Sequence, residues 1–150
     1  DAAQRAIADY PSIDEWYVGG HSLGGAMACR YAEESDDVEG LLLYASYCDV
    51  DLSESDLAVL SVTGSADTVL NRAAYDRNRD NLPDSSTIAS VEGLNHSQFG
   101  SYRGQDGPSG TSYELAHERL NGVVVPWLQQ TLDRTAGNWP RSSASPVAQP

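Results

Sequence analysis

The sequence predicts an α/β fold in which a mainly parallel sheet of about four strands is flanked by helices. Four strand-like runs alternate with segments of helical pattern, and they occupy residues 13–19, 41–46, 58–63 and 87–91. The second and third runs are continuously apolar, which is typical of strands covered on both faces. Alternation of strands with helices favours a parallel sheet. A chain of 150 residues is long enough for one domain with a hydrophobic core and too short for two.

Helices are predicted around and between these strands. Residues 2–10 carry apolar side chains at helical spacing, residues 26–34 follow the first strand, and residues 71–82 end at a proline. Thr111-Ser112-Tyr113-Glu114 fits a capping box for a last helix, which we expect to run to about Asp133 with a kink at Pro126. We therefore predict one domain over residues 1–133 and a disordered tail over residues 134–150.

The composition argues against some classes of function. The chain has 22 acidic and 9 basic residues, contains no Lys, and carries a formal net charge of −13. Such a surface repels phosphate backbones, so nucleic-acid binding is not expected. A carboxylate-rich, lysine-free surface resembles that of proteins from very salty cytoplasm, where salt screens the self-repulsion. A halophilic source is therefore a hypothesis that the acidic composition supports.

The sequence says less about location and redox state. No stretch approaches the ~18 apolar residues of a membrane span, and no signal-peptide pattern is present, so a cytoplasmic location is the default expectation. The chain begins at Asp1 rather than Met, which suggests the hypothesis that an N-terminal segment is missing. Cys29 and Cys48 belong to no CxxC or Cys/His cluster, and we expect two buried small hydrophobic residues rather than a disulfide.

One stretch carries the strongest chemical signal. Gly20-His21-Ser22-Leu23-Gly24 matches Gly-x-Ser-x-Gly and lies between a predicted strand and a predicted helix, a context typical of a nucleophile elbow. The tight turn leaves little room for side chains, so we expect Gly20 and Gly24 to be required. The following helix directs free N–H groups and a positive dipole end at a reacting carbonyl. The alternative is a glycine-rich turn in which Ser22 only caps that helix.

A serine hydroxyl needs a base to remove its proton, and the base needs an acid partner that fixes its tautomer. Asp67, in Gly64-Ser65-Ala66-Asp67, follows the third predicted strand, and His96, in Gly93-Leu94-Asn95-His96, follows the fourth. The carboxyl ends of parallel strands meet at one edge of a sheet, where this order of serine, acid and histidine is typical of a hydrolase. The alternative for Asp67 is that it caps the next helix.

Other acids and histidines compete for these roles. Asp49 and Asp51 follow the second predicted strand and are alternative triad acids. His21 adjoins Ser22, but its side chain is expected to point away from the site and to serve packing. His117 lies within the last helix and is expected to be a partly exposed surface residue.

These motifs together resemble a known family. Residues 20–25, 64–67 and 95–96 resemble, in this order, the α/β-hydrolase superfamily. Residues 95–102, followed by Gln105-Asp106-Gly107, resemble its fold-5 subgroup, in which a Gln-Phe-Gly and a Gly/Asp-rich loop follow the histidine. The similarity extends from about Trp16 to Leu132. It implies a carboxylic-ester hydrolase or a related activity, with a small-molecule ester or acyl substrate that the subgroup does not specify.

In this interpretation Ser22 is the nucleophile, Asp67 the acid and His96 the base, and the backbone N–H of Leu23 contributes to the oxyanion hole. Neither a metal nor an organic cofactor is expected. In the family several strands precede the elbow, whereas nineteen residues precede Gly20 here, so we expect the C-terminal catalytic portion of a hydrolase. Two alternatives stay open. One is a non-catalytic fragment or binding module of the same fold, and the other is an acyltransferase or thioesterase with the same triad.

Overall fold

The computed structural model describes residues 2–138, with side chains to residue 134. The elements, in chain order, are α1 (Ala2–Asp9), β1 (Tyr17–His21), α2 (Leu23–Glu34), β2 (Gly40–Tyr44), β3 (Ala58–Gly64), α3 (Arg72–Arg77), β4 (Thr87–Val91) and α4 (Tyr113–Asn138). Two short 3₁₀ turns, Arg79–Asn81 and His96–Phe99, follow α3 and β4. The predicted α/β architecture is confirmed.

The four strands form one parallel sheet in the order β1-β2-β3-β4. Parallel neighbours require a crossover connection, and α2 supplies the first of these between β1 and β2. The register places Gly20 beside Leu43, and Leu43 beside Ser61. All four carboxyl ends therefore lie along one edge of the sheet, and the loops that leave this edge carry the candidate site.

Side chains of the inner strands alternate between two apolar layers. Leu41, Leu43 and Val59 join a buried cluster that contains Ala28 and Cys29 of α2. The intervening positions face the opposite layer, where Leu60 and Val62 pack with a cluster that includes Ala116, Leu120 and Trp127 of α4. A strand buried on both faces needs apolar side chains at odd and even positions alike, which explains the continuous apolar runs of the sequence.

Several boundaries differ from those predicted. β1 begins at Tyr17 rather than at residue 13, and the predicted helix over residues 71–82 consists of α3 followed by a 3₁₀ turn. The last helix is capped by Ser112, not Thr111, because the hydroxyl of Ser112 accepts the Leu115 N–H at 3.2 Å. That helix contains Pro126 and continues to Asn138, five residues past the predicted end at Asp133. The rest of the predicted tail, residues 139–150, lies outside the described residues.

The expectation for the two cysteines is half right. Both side chains are completely buried, as expected, but they form a disulfide, with 5.6 Å between the Cα atoms. Cys29 lies on α2 and Cys48 lies just after β2, and packing of α2 against this part of the sheet brings them together. Sequence spacing carries no information on such a contact, because the contact depends on how α2 packs against the sheet. The cross-link fastens the helix behind Ser22 to the loop after β2.

Over the described residues, no helix combines the length and the apolar character that crossing a membrane requires.

Reduction of the disulfide is expected to destabilise the fold. The two cysteines are 19 residues apart, and closing a loop of this size in the unfolded chain is worth about 3 kcal/mol. Urea unfolding with and without a reducing agent measures the difference, and a Cys29→Ala/Cys48→Ala variant is the control. Equal unfolding free energies for the oxidised and reduced chains would contradict this prediction.

Candidate active site

Ser22 connects β1 to α2 in a backbone conformation that L-residues rarely adopt. Its φ of 54° and ψ of −124° lie in a region favoured by glycine, and such strain costs about 1–3 kcal/mol. The surrounding structure holds the turn, because the Ser22 N–H donates to the carbonyl of Tyr44 at 2.9 Å. The Ser22 carbonyl in turn accepts the N–H of Gly25 at 3.0 Å. This strained strand-to-helix turn is the geometry of a nucleophile elbow.

The glycines around Ser22 have unequal roles. A Cβ at Gly20 would lie 2.3 Å from the backbone of Gly24, so the expectation for Gly20 is confirmed. A Cβ at Gly24 itself would meet no atom of the other described residues within 4 Å beyond its own helix turn, so steric exclusion by the rest of the described chain does not require this glycine. The second close approach occurs at Gly25, where a Cβ would lie 2.5 Å from the Cβ of Ser46. The need for glycine at that position arises from the packing of α2 on the segment after β2.

Asp67 lies buried in the loop after β3, and its two carboxylate oxygens have different partners. One oxygen, Oδ1, accepts the N–H groups of Val69 and Leu70, each at 2.9 Å. The other, Oδ2, is 2.9 Å from Nδ1 of His96. The alternative that Asp67 caps the next helix is wrong, because Asn71 is the N-cap of α3. Asp67 instead accepts two hydrogen bonds from its own loop with one oxygen and contacts the histidine with the other.

His96 begins the 3₁₀ turn after β4, and a capping box fixes this turn. The Asn95 side chain accepts the Gln98 N–H at 3.1 Å, and the Asn95 N–H donates to Oε1 of Gln98 at 3.0 Å. The side chains of His96 and Asp67 are 3% and 0% exposed, so water scarcely competes for their contact. The box also has a signal in the sequence that was not used above, because an N-cap Asn followed three residues later by Gln is typical of it.

In the described part of the chain, neither alternative acid forms a hydrogen bond or an ion pair with His96. Asp49 pairs with Arg30, which donates from Nε at 3.1 Å and also from Nη2. This hydrogen bond to Arg30 lowers the pKa of Asp49. Asp51 accepts the Ser53 N–H at 3.0 Å, and that contact lowers the pKa of Asp51. The structure thus brings Asp67, of the three candidate acids, to the histidine.

His21 lies against His96, so the expectation that its side chain points away is wrong. The two imidazole rings are 4.4 Å apart between centroids, the ring of Phe99 stacks on His21 at 5.5 Å, and the Tyr102 hydroxyl hydrogen-bonds Nδ1 of His21. Burial, and then the charge of nearby His96, lowers the pKa of His21 to about 4. His117 is a half-buried residue of α4 whose Nε2 is 3.3 Å from the carbonyl oxygen of Gly100.

Ser22 and His96 both line a cavity of about 370 Å³ at the carboxyl edge of the sheet. Apolar side chains from α2 and from the loop after β3 form much of the wall, among them Leu23, Met27 and Val69. Within the described residues, Ser22 Oγ makes no hydrogen bond to His96. Because Nδ1 of His96 faces Asp67, its Nε2 is the ring nitrogen left for a hydroxyl or a substrate.

The first residue of α2 supplies a donor beside Ser22. Leu23 occupies the first helical position, where a backbone N–H has no partner within the helix and the helix dipole is positive. This N–H is therefore suited to bind an oxyanion formed at Ser22. No group of three or more His, Cys, Asp or Glu side chains in the part of the chain that the structure describes is arranged to hold a metal ion.

A family model described as "Alpha/beta hydrolase family" matches residues 1–119. The chain belongs to the α/β-hydrolase family. No curated protein matches the sequence at a significant level. Solved structures of low sequence identity share the fold, and the chain spans about half the length of the first of these, with 48% of one and 57% of the next.

Three of these structures illustrate the likeness. A candidate α/β hydrolase of unknown function from Agrobacterium tumefaciens is 20% identical, with a TM-score of 0.59 over 91% of this chain and 57% of its own. An α/β hydrolase from a sediment metagenome of the Mar Chica lagoon is 15% identical, with a TM-score of 0.58 over 87% and 68%. An esterase domain from Rhodothermus marinus is 17% identical, with a TM-score of 0.52 over 63% and 57%.

The strain at Ser22 predicts a difference between two substitutions. Ser22→Gly removes the side chain from a left-handed conformation that costs about 1–3 kcal/mol, against about 0.5–1 kcal/mol for the greater freedom of unfolded glycine. Ser22→Ala keeps the strain. We expect Ser22→Gly to be more stable than Ser22→Ala by about 1 kcal/mol in urea unfolding. A less stable glycine variant would show that the turn is not strained.

The lowered pKa of His21 predicts a pH-dependent loss of stability. Between the unfolded value of 6.5 and the folded value of about 4, the unfolded chain binds a proton that the folded chain does not. The part of the unfolding free energy that depends on this difference in proton binding is fully present above pH 6.5 and is lost as the pH falls towards 4. We expect His21→Gln to flatten the fall in unfolding free energy over this range, and Tyr102→Phe, which retains the histidine, to keep most of it. Equal slopes for wild type and His21→Gln would contradict the assignment.

Proposed function

We propose that this chain carries the catalytic machinery of a serine hydrolase that acts on carboxylic esters or similar acyl substrates. The observation that supports the proposal most directly is the buried contact between Asp67 Oδ2 and His96 Nδ1, next to a cavity that Ser22 also lines. Family membership agrees with hydrolytic chemistry but does not identify the substrate. One of the structural neighbours is an esterase domain, and an ester substrate for this chain agrees with that likeness in fold.

In the acylation step, Ser22 Oγ attacks the ester carbonyl while Nε2 of His96 removes its proton. The carbonyl oxygen becomes an oxyanion, which the Leu23 N–H stabilises at the positive end of α2. The protonated imidazole then donates its proton to the leaving alcohol as the carbon–oxygen bond breaks. Asp67 keeps the proton of His96 on Nδ1 and stabilises the imidazolium by charge.

In the second step, water replaces the alcohol. Nε2 of His96 removes a proton from the water as its oxygen attacks the acyl carbon attached to Ser22 Oγ. The proton returns to Ser22 as the acyl–oxygen bond breaks, and a carboxylic acid leaves. Burial of the Asp67–His96 contact strengthens its electrostatic interaction, because the two side chains are largely shielded from water.

Substitution of the triad residues tests the proposal. We expect Ser22→Ala to lower kcat for a short p-nitrophenyl ester by about 10⁶-fold, because the nucleophile is lost. Asp67→Asn should lower kcat by about 10⁴-fold, because an amide cannot hold the histidine in the required tautomer. The measurement is initial ester hydrolysis by variants whose circular dichroism matches that of the wild type.

Two other aspartates serve as comparisons for that experiment. Asp49→Asn removes the partner of Arg30 and is expected to cost far less than Asp67→Asn. Asp51→Asn removes a contact to Ser53 away from the cavity and is expected to leave kcat unchanged. A neutral Asp67→Asn together with a damaging Asp49→Asn would assign the acid to Asp49 instead.

The same triad could serve a thioesterase or an acyltransferase, and the fold could also serve binding without catalysis. Turnover of a thioester, and of an ester with added alcohol acceptors, distinguishes the first two from an esterase. A fluorophosphonate probe distinguishes the third, because it reacts only with an activated serine. A folded chain whose Ser22 resists the probe would favour the non-catalytic alternative.

A further inference from the structure

A second carboxylate lies at the junction of the two loops that carry Asp67 and His96. Asp106 belongs to the loop between the 3₁₀ turn and α4. Its Oδ2 accepts the backbone N–H of His96 at 2.8 Å and that of Thr68 at 3.2 Å. Its Oδ1 accepts the hydroxyl of Thr68 and the Gly107 N–H, the latter at 2.7 Å. One side chain therefore contacts the histidine itself and the residue that follows the triad acid.

These four contacts suit an ionised carboxylate, which only accepts hydrogen bonds. Partial burial raises the pKa of Asp106, but the hydrogen bonds from Thr68, His96 and Gly107 outweigh burial, and the net effect is a lowered pKa. Asp106 is thus charged at neutral pH. Hydrogen bonds between N–H groups and a charged acceptor are about twice as strong as those between neutral groups.

Other contacts join the same two loops, but they do so upstream of the triad residues. The Ala66 N–H donates to the Leu94 carbonyl at 3.0 Å, and the Gly93 N–H donates to Ser65 Oγ at 2.8 Å. Asp106 adds a link at the level of His96 and Thr68. Hydrogen bonds between the two loops thus lie on both sides of the Asp67–His96 contact along the chain.

We propose that Asp106 is a positioning residue, which holds the backbones of His96 and Thr68 together so that the imidazole meets Asp67 in the catalytic orientation. This inference rests on the proposed function. Asp106 does not line the cavity, so it acts through His96 and not on the substrate. Displacement of a catalytic group by about 1 Å costs about 10²-fold in rate, which sets the scale of the expected effect.

The test compares Asp106→Asn with the wild type and with Asp51→Asn, a matched control in which another loop carboxylate loses its charge. The first readout is kcat and KM for a p-nitrophenyl ester. We expect Asp106→Asn to lower kcat by about 10²-fold with KM unchanged, and the control to change neither. The second readout is the low-field proton NMR signal of His96 Nδ1–H, which Asp67→Asn identifies by its loss. We expect Asp106→Asn to broaden or abolish this signal in the folded protein.

A second pair of variants separates positioning from folding. Thr68 is exposed, and Thr68→Ser retains the hydroxyl that Asp106 accepts, whereas Thr68→Val removes it. We expect Thr68→Ser to match the wild type in kcat and in the NMR signal, and Thr68→Val to lower both. This pair decides the question if Asp106→Asn does not fold.

The outcomes are distinct from those that test the proposed function. A wild-type chain that turns over neither an ester nor a thioester contradicts the proposed function, and the NMR signal then decides the role of Asp106 alone. Wild-type kcat and an intact Nδ1–H signal in folded Asp106→Asn would overturn the inference. The inference would also be overturned if the loss of kcat in Asp106→Asn were fully explained by the fraction of unfolded protein, with the Nδ1–H signal intact in the folded fraction.

Discussion

The hydrogen bond between Asp67 and His96 is the interaction on which the proposed active site depends. It joins two loops that leave neighbouring strands, β3 and β4, at the same edge of the sheet. Parallel pairing brings those loop origins together, but it does not fix the distance between two side chains. In the proposed site, the hydrogen bonds of Asp67 within its own loop, the Asn95–Gln98 box and the Asp106 contacts fix that distance. Each constrains a backbone segment so that the imidazole needs little reorganisation.

The stability of the sheet supports a strained turn at Ser22. Three features hold the left-handed conformation of Ser22. Strand β1 pairs with β2, and the Ser22 N–H donates a hydrogen bond to the Tyr44 carbonyl. Helix α2 also packs closely, through Gly25, on the segment after β2. The Cys29–Cys48 disulfide joins the same two elements. Strain of this kind is common at active sites, where the surrounding structure maintains a conformation that the local sequence would not choose.

The sequence was sufficient for features that depend on periodicity and on order along the chain. The four strands and the location of Ser22, Asp67 and His96 after their strands follow from apolar runs and from motifs. Contacts between residues that lie far apart along the chain could not be predicted from the sequence. The disulfide depends on how α2 packs. The placement of His21 against His96 depends on its contacts with the aromatic side chains of Phe99 and Tyr102. The space available for a Cβ at Gly24 likewise depends on how distant residues pack around the turn.

In the proposed mechanism Ser22 and His96 form one reactive unit, with Asp67 hydrogen-bonded to the far nitrogen of the imidazole. A crystal structure of the chain after reaction with a fluorophosphonate tests this most directly. We expect phosphorus bonded to Ser22 Oγ, a phosphoryl oxygen accepting the Leu23 N–H, and Nε2 of His96 within hydrogen-bonding distance of an oxygen of the adduct. An unmodified Ser22 in a folded crystal, or an adduct beyond the reach of His96, would contradict it.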